Sequence, residues 1–143
     1  VSVHTIPYAI AGDARISQEG NKFGVYMFEA NFQCQSTAIV HYADGSMETK
    51  LSDGYFSNNR CDPYAHFFYI RELCRRNPAI VRVSWTFDTS INGKPFVRIV
   101  DSTHACELTY EPFSHNEWIK LPERGEAPIA GYPDKNEYEY GFR

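Results

Sequence analysis

The 143-residue sequence has little that would place it inside a membrane. No apolar run approaches the ~18 residues that a membrane-spanning helix requires. The opening residues 1–10 also lack the basic start and long apolar stretch of a secretory signal peptide. Because the chain begins with Val1 rather than Met, we expect a mature or excised fragment from which any targeting segment has been cut away.

Several motifs that carry chemistry are missing as well. There is no G-x-G-x-x-G pattern, no Walker pattern and no calcium-loop order, so we expect no nucleotide or calcium cofactor. No C-x-x-C pair occurs, which argues against thioredoxin-like chemistry and ribbon-type zinc sites. A basic excess is also lacking: 14 Lys and Arg stand against 18 Asp and Glu, for a net charge of −4. This balance argues against a nucleic-acid partner.

Aromatic residues are what the sequence has in abundance. It contains ten Tyr, ten Phe and two Trp, with 43% apolar and 22% charged residues and no low-complexity run. Such a composition is typical of one globular domain, which we assign to residues 1–143. Aromatic side chains favour strands and pack on sheet faces, so we expect a high β content.

In the first half, the sequence predicts an aromatic strand followed by a hairpin. The stretch FGVYMFEANFQCQ places an alternating set of residues on one strand face: Tyr26, Phe28, Ala30, Phe32 and Cys34. In STAIVHYADGSMETKLS, the pair Asp44-Gly45 separates two alternating segments, which predicts a tight turn between two strands.

In the second half, AIVRVSWTFDTS alternates between apolar and polar residues. The apolar set, which we expect to face inward, is Val81, Val83, Trp85 and Phe87. Asn92-Gly93 predicts a turn into the returning strand KPFVRIVDS, and a last strand is expected over 106–110. From 111 to 143 the periodicity fades, which indicates a surface-wrapping or partly disordered tail that Trp118, Ile119 and Leu121 could anchor.

A helix is predicted in CDPYAHFFYIRELCRRNP. Asp62 is a suitable N-cap, Pro63 suits the first helical position, and Asn77-Pro78 ends the helix. The following residues recur at three- and four-residue steps and predict one buried stripe: His66, Phe67, Ile70, Leu73 and Cys74. The fold class that follows is α+β, an antiparallel sheet of five or six strands with one long helix packed on a face.

The four cysteines are Cys34, Cys61, Cys74 and Cys106, and four cysteines allow three disulfide connectivities. The predicted helix separates Cys61 from Cys74 by about 20 Å, whereas a disulfide needs Cα atoms within about 7 Å. Two connectivities remain: Cys34–Cys61 with Cys74–Cys106, which we favour, or Cys34–Cys74 with Cys61–Cys106. Four reduced, buried thiols in a cytosolic protein are the alternative to both.

We assign no catalytic residue and no metal ligand. His104, Cys106 and His115 are the nearest approach to a ligand set, but a zinc site needs three or four ligands at a fixed spacing. No nucleophile signature accompanies any cysteine, and the carboxylates are scattered. A pocket for a small apolar ligand is the remaining candidate, and its predicted lining is Tyr26, Phe28, His66, Phe67, Ile70 and Trp85. Four further aromatic residues are candidates for docking: Tyr55, Phe56, Tyr138 and Tyr140.

Two stretches resemble a known family. FGVYMFEANFQCQSTAIVHYADGS is similar to the segment that follows the last transmembrane helix in bacterial HTTM proteins, relatives of vitamin K-dependent γ-carboxylase. There an aromatic-Met-Phe motif opens a soluble β-rich domain, matched here by Tyr26-Met27-Phe28, and a strand ending in Asp-Gly follows, matched by Asp44-Gly45. Val25-Tyr26 stands where the family has Trp. WTFDTSINGKPFVRIVDS fits a hairpin of such a domain. The resemblance implies an accessory domain without catalytic residues.

These observations lead to three functional hypotheses. The first is a non-catalytic extracytoplasmic domain, held by disulfides, that docks onto a membrane-embedded protein or onto another domain of the same precursor. The second is a small ligand-binding protein or enzyme with an aromatic-lined pocket between helix and sheet. The third is a secreted effector or toxin-like module.

Overall fold

Four antiparallel strands and one long helix form the part of the fold that the structure describes. The computed structural model of the chain describes residues 32–51, 61–91 and 94–120. The elements within them are β1 (Phe32–Tyr42), β2 (Met47–Leu51), α1 (Pro63–Arg76), β3 (Ile80–Ile91), β4 (Val97–Ser102) and a 3₁₀ helix (Ala105–Glu107). The strands make one sheet in the order β2-β1-β3-β4. The α+β class with an antiparallel sheet is confirmed, whereas a fifth or sixth strand stays a prediction.

The central strand β1 is one continuous strand of 11 residues. It pairs antiparallel with β2 on one side and with β3 on the other. The sequence predicts two separate segments here, the first ending at Gln35 and the second beginning at Ser36. The structure instead runs both of these residues in register with β3, opposite Asp88 and Phe87. The predicted strand residues before Phe32 lie outside the described part of the chain.

The turn between β1 and β2 lies at Asp44-Gly45, as predicted. Gly45 has φ of +86°, a left-handed conformation that glycine adopts without a steric penalty. The backbone N–H of Gly45 donates to the Tyr42 carbonyl at 3.0 Å, and the Tyr42 N–H donates to the Ser46 carbonyl at 3.0 Å. The Asp44 carboxylate accepts from the Ser46 N–H at 2.8 Å, which fixes the turn from its side chain.

Strand β3 carries the inward-facing apolar residues, with one exception. Val83, Trp85 and Phe87 are fully buried, as expected, but Val81 is 65% exposed. The prediction for Val81 was wrong because a β-bulge interrupts the alternation. Residues 41 and 82 are partners and so are 42 and 80, which leaves Val81 without a partner on β1. The antiparallel pairing of β3 with β4 is confirmed, while the turn predicted at 92–93 lies outside the described residues.

Helix α1 begins and ends where its sequence indicates. The Asp62 carboxylate accepts from the Tyr64 N–H at 2.9 Å, and Pro63 occupies the first turn. At the other end, the Asn77 N–H donates to the Leu73 carbonyl at 3.2 Å before Pro78 ends the helix. The buried helix residues are Pro63, Tyr64, His66, Phe67 and Ile70, whereas Leu73 and Cys74 of the predicted stripe are half-buried.

The core lies between α1 and the inner sheet face. Its fully buried large side chains include Phe67, Ile70, Val40, Val83, Trp85, Phe87, Ile99 and Val100. The one polar group of Trp85 is satisfied, because its indole N–H donates to the Ser36 hydroxyl at 3.0 Å. This pairing matters because an unsatisfied donor in the core would cost about 1–3 kcal/mol.

The strand expected over 106–110 was a wrong prediction. After β4 the chain turns, with the His104 N–H donating to the Ser102 hydroxyl at 3.2 Å. A short 3₁₀ helix, Ala105–Glu107, follows and buries Ala105. The turn carries Cys106 away from the sheet edge and towards Cys74 on α1, with which it forms a disulfide.

Replacing Phe67 by Ala tests the helix–sheet core. Phe67 is 1% exposed, so we expect the substitution to lower the free energy of unfolding by about 3–5 kcal/mol. Urea unfolding followed by circular dichroism measures this loss.

Tyr69→Ala on the exposed side of the same helix is the matched control, and it should change the unfolding free energy by less than about 0.5 kcal/mol. Equal effects of the two substitutions would mean that α1 does not pack through Phe67.

Candidate functional site

Two disulfides hold the two ends of α1. Cys34 pairs with Cys61, with Cα atoms 5.6 Å apart, and Cys74 pairs with Cys106, with Cα atoms 5.8 Å apart. The favoured connectivity is therefore the one present, and all four cysteines are oxidised. Each bond joins one end of the helix to a different part of the chain, as expected from the length of α1.

The first disulfide ties the start of α1 to the central strand. Cys61 directly precedes the N-cap Asp62, and its φ of +53° is uncommon for a residue other than glycine. Its partner Cys34 lies on β1 opposite Thr89. The closed loop spans 27 residues, for which chain-entropy arguments give a stabilisation of about 3.5 kcal/mol.

The second disulfide ties the last turn of α1 to the segment after β4. Cys74 and Cys106 are both half-buried and pack against the core. The loop that they close spans 32 residues and includes all of β3 and β4. The bond therefore brings residues 105–120 against the helix, where the aromatic side chains of both meet.

An aromatic cluster fills this junction between helix, sheet and C-terminal segment. We define the aromatic cluster as eight rings in successive contact: Tyr64, His66, Phe67, Phe68, Trp85, Phe87, Tyr110 and Trp118. Phe67 stacks on Trp118 with ring centroids 5.1 Å apart, and Trp118 meets Trp85 at 5.6 Å. Such pairs each contribute about 0.5–1.5 kcal/mol beyond the area that they bury.

The aromatic cluster reaches the surface along one edge. Phe68 is 37% exposed and meets the half-buried Tyr110 edge-on at 5.3 Å. Trp118 is also half-buried, and its indole N–H donates to the Thr109 carbonyl at 2.8 Å. We call Phe68, Tyr110 and Trp118 the aromatic edge. The edge is a rigid apolar surface because buried rings and a hydrogen bond hold it from behind.

Asn116 fixes the segment that carries this edge. Its side-chain amide donates to the Tyr64 hydroxyl at 3.1 Å and to the Glu111 carbonyl at 3.0 Å. Its amide oxygen accepts from the Glu111 N–H at 2.7 Å. Asn116 and Ile119 are buried, and Trp118 stacks on the core, which confirms the predicted anchoring by Trp118 and Ile119. Leu121 lies outside the described residues.

The local sequence does not indicate that Asn116, Tyr110 and Phe68 belong to one site. Phe68 lies on α1, whereas Tyr110 and Asn116 lie in the segment after the 3₁₀ helix, and no local pattern in EPFSHNEW distinguishes a buried asparagine from an exposed one. No sequence motif marks the site, because it forms only when the Cys74–Cys106 bond brings the segments together.

The predicted pocket residues meet in the core. His66, Phe67, Ile70 and Trp85 are all buried between α1 and the sheet. His66 packs edge-on against Phe87 with ring centroids 5.1 Å apart. The other two predicted lining residues, at 26 and 28, lie outside the described part of the chain, as do the docking candidates at 55, 56, 138 and 140. A ligand pocket therefore stays a prediction.

Burial keeps His66 uncharged. Removal from water lowers the pKa of this imidazole to about 4, well below its usual 6.5. The ring is therefore neutral at physiological pH and packs as an aromatic member of the cluster. His104, in contrast, is exposed to solvent, and its Nδ1 atom lies 3.8 Å from the Glu107 carboxylate.

Cys106 and Asp88, two side chains with the potential for chemistry, are engaged in structural contacts. Cys106 is oxidised, so it offers no thiolate. The buried carboxylate of Asp88 accepts two hydrogen bonds from the guanidinium of its cross-strand partner Arg98, at 2.8 and 3.0 Å. Within 32–51, 61–91 and 94–120, no group of three or more His, Cys, Asp or Glu side chains is placed to hold a metal ion.

Comparisons with known proteins give no family assignment. Family models, curated proteins and solved structures were each searched, and none matches this chain. None of the helices in the described ranges has the length and apolar character needed to cross a membrane. The function is therefore inferred from the disulfides and the aromatic cluster.

The disulfide pairing can be checked by peptide mapping. Protein digested without reductant should release one linked peptide pair containing Cys34 and Cys61 and another containing Cys74 and Cys106. Its intact mass should lie about four hydrogens below that of the reduced chain. A linked pair containing Cys61 and Cys106 would contradict the arrangement of the helix ends.

The buried His66 predicts a stability that falls in mild acid. The unfolded chain, with the ordinary pKa, binds a proton below about pH 6.5, whereas the folded imidazole resists protonation down to about pH 4. Between these values the unfolded state binds more protons, so the free energy of unfolding should drop by about 2 kcal/mol from about pH 7 to about pH 5.

Urea unfolding at several pH values measures this dependence. His66→Phe should remove most of the drop, while His104→Gln, which changes an exposed histidine, should leave it in place. An unchanged pH dependence in the His66→Phe protein would mean that the imidazole is not desolvated as described.

Proposed function

We propose that this chain is a non-catalytic extracytoplasmic domain that binds another protein through the aromatic edge. The observation that carries this proposal is the coupling between the Cys74–Cys106 disulfide and the edge formed by Phe68, Tyr110 and Trp118. The packed domain supports these three rings from behind, and their partly exposed surfaces form the contact.

The disulfides support an oxidising compartment. Disulfides persist in periplasmic, lumenal and secreted proteins, whereas cytosolic thiols are kept reduced. Here all four cysteines are paired, and both bonds hold the helix that positions the site. Reduction of either bond would lower the free energy of unfolding by about 3.5–4 kcal/mol, which suits a chain that works outside the cytosol.

The composition of the aromatic edge supports a protein partner. Tyr, Trp and Phe are enriched at the centres of interfaces, because large rigid rings bury much area with little loss of conformational entropy. Trp118 and Tyr110 keep a polar group beside an apolar ring, and the Trp118 N–H is already paired within the chain. Contact with a partner would therefore bury this N–H group without leaving it unsatisfied.

The partner that we propose is a membrane-embedded protein or another domain of the same precursor. The resemblance of Tyr26-Met27-Phe28 and Asp44-Gly45 to the soluble part of HTTM proteins supports this choice. In that family the soluble domain and the membrane part belong to one chain. A secreted effector with the same contact surface is the alternative.

Site-specific photo-crosslinking tests the proposal. A benzophenone side chain in place of Phe68 should crosslink one distinct protein in intact native cells, because position 68 lies on the aromatic edge. Tyr69 is the matched control, since it is the next residue on α1 and is more exposed, at 46% against 37%, but lies outside the aromatic cluster.

The control position should give little or no crosslinked product. Equal crosslinking from positions 68 and 69, or none from either while both proteins melt as the unmodified chain does, would contradict the aromatic edge as the contact. A strong rise in melting temperature with a small apolar compound would favour the ligand-binding hypothesis instead.

A further inference from the structure

We propose that two copies of this chain associate through β2 as a symmetric dimer, in which the sheet continues from one copy into the other. This association uses the sheet edge at β2 and does not depend on the aromatic edge or on its partner. The occupant of the β2 edge is a second copy of the chain because the strand is complementary to itself.

The position of β2 in the sheet provides the docking edge. In the order β2-β1-β3-β4, β2 is the outermost strand on its side and pairs with β1 alone among the described strands. At the opposite edge, the chain itself covers part of β4, since the Lys120 N–H donates to the Ile99 carbonyl at 2.7 Å. An edge strand presents backbone donors and acceptors that a further strand can pair with.

The sequence of β2, METKL, is complementary to itself when antiparallel. A two-fold axis through Thr49 would place Glu48 of each copy opposite Lys50 of the other. The same axis would place Met47 opposite Leu51. Opposite charges directly across an antiparallel pair stabilise it, while like charges destabilise it. Two ion pairs therefore form at once, and they select this register over its neighbours.

The charged groups are already positioned at this edge. The side chains of Glu48 and Lys50 are 48% and 28% exposed, and Lys50 Nζ lies 2.6 Å from a Glu48 carboxylate oxygen. The other Glu48 oxygen accepts from the Tyr42 hydroxyl at 2.8 Å. Pairing with a second copy would bring another ammonium group to each carboxylate, without breaking the contact to Tyr42.

An exposed apolar side chain beside the edge gives the contact a hydrophobic component. Met47 is 67% exposed and lies across from His41, next to the paired residues Ile39 and Thr49. Burial of Met47 against the second copy would remove apolar surface from water.

The proposed interface is small, and its two-fold symmetry limits the assembly to a dimer. Strand β2 has five residues, and its pairing with β1 shifts at Lys50, between the pairs 38–51 and 39–49, within the segment that the second copy would pair with. Short edge contacts fall below the area of stable interfaces, which indicates a weak association that needs a high protein concentration. Because each copy uses its only β2 edge, the two-fold contact ends at a dimer.

Charge reversal tests the dimer. Sedimentation velocity of the oxidised 143-residue chain, from about 5 µM to about 1 mM, should show the monomer converting to dimer. Glu48→Lys and Lys50→Glu each place like charges across the axis, so each protein should remain monomeric. An equimolar mixture of the two variants restores opposite charges in every pair, so heterodimers should form with about the wild-type affinity.

Two controls accompany this measurement. The double variant Glu48→Lys/Lys50→Glu should dimerise as the wild type does, and Glu72→Lys, an equal charge change on α1, should leave association unchanged. Circular dichroism confirms that each variant is folded. The proposal is overturned if the wild type stays monomeric to about 1 mM, if either single variant dimerises like the wild type, or if the mixture stays monomeric.

Discussion

The rigid length of α1 is the constraint on which the rest of the structure depends. A 14-residue helix cannot bring the cysteines at its two ends together, because it separates them by about 20 Å. Each sulfur must therefore find a partner elsewhere in the chain, and each bond ties one end of the helix to a different element. The helix is therefore covalently attached at both ends, to β1 at its start and to the 3₁₀ helix at its last turn.

The aromatic cluster follows from this arrangement. With its first end bound to β1, α1 presents Phe67 and Ile70 to the inner sheet face. With its last turn bound to Cys106, the same helix receives the segment after β4. Trp118 can then stack on Phe67, and the Asn116 amide can donate a hydrogen bond to the Tyr64 hydroxyl. The proposed contact surface is the outer edge of this packing.

Much of the fold was predictable because its signals are local. The cap at Asp62, the proline at 63 and the Asp44-Gly45 turn each depend on neighbours within a few residues, and all three are present as expected. The strand alternation also placed Val83, Trp85 and Phe87 in the core. The helix length also excluded a bond between Cys61 and Cys74, although it left two connectivities open.

The remaining features depend on contacts that are distant in sequence. The bulge at Val81 reflects the register that β1 and β3 adopt over their whole length, which strand periodicity does not encode. The 3₁₀ helix at Ala105–Glu107 forms where the chain must turn from β4 to reach α1. The site residues Tyr110 and Asn116 gain their roles only from that turn, so their local sequence did not indicate them.

Hydrogen exchange along α1, compared between the oxidised protein and the Cys74→Ser/Cys106→Ser variant, tests most directly whether each helix end is held by its own disulfide. The account predicts that the amides of the last turn, Leu73–Arg76, lose at least about tenfold more protection than the amides near Phe67, because the first end stays tied to β1. A uniform change along the whole helix, or no change in its last turn, would contradict the two-point attachment of α1.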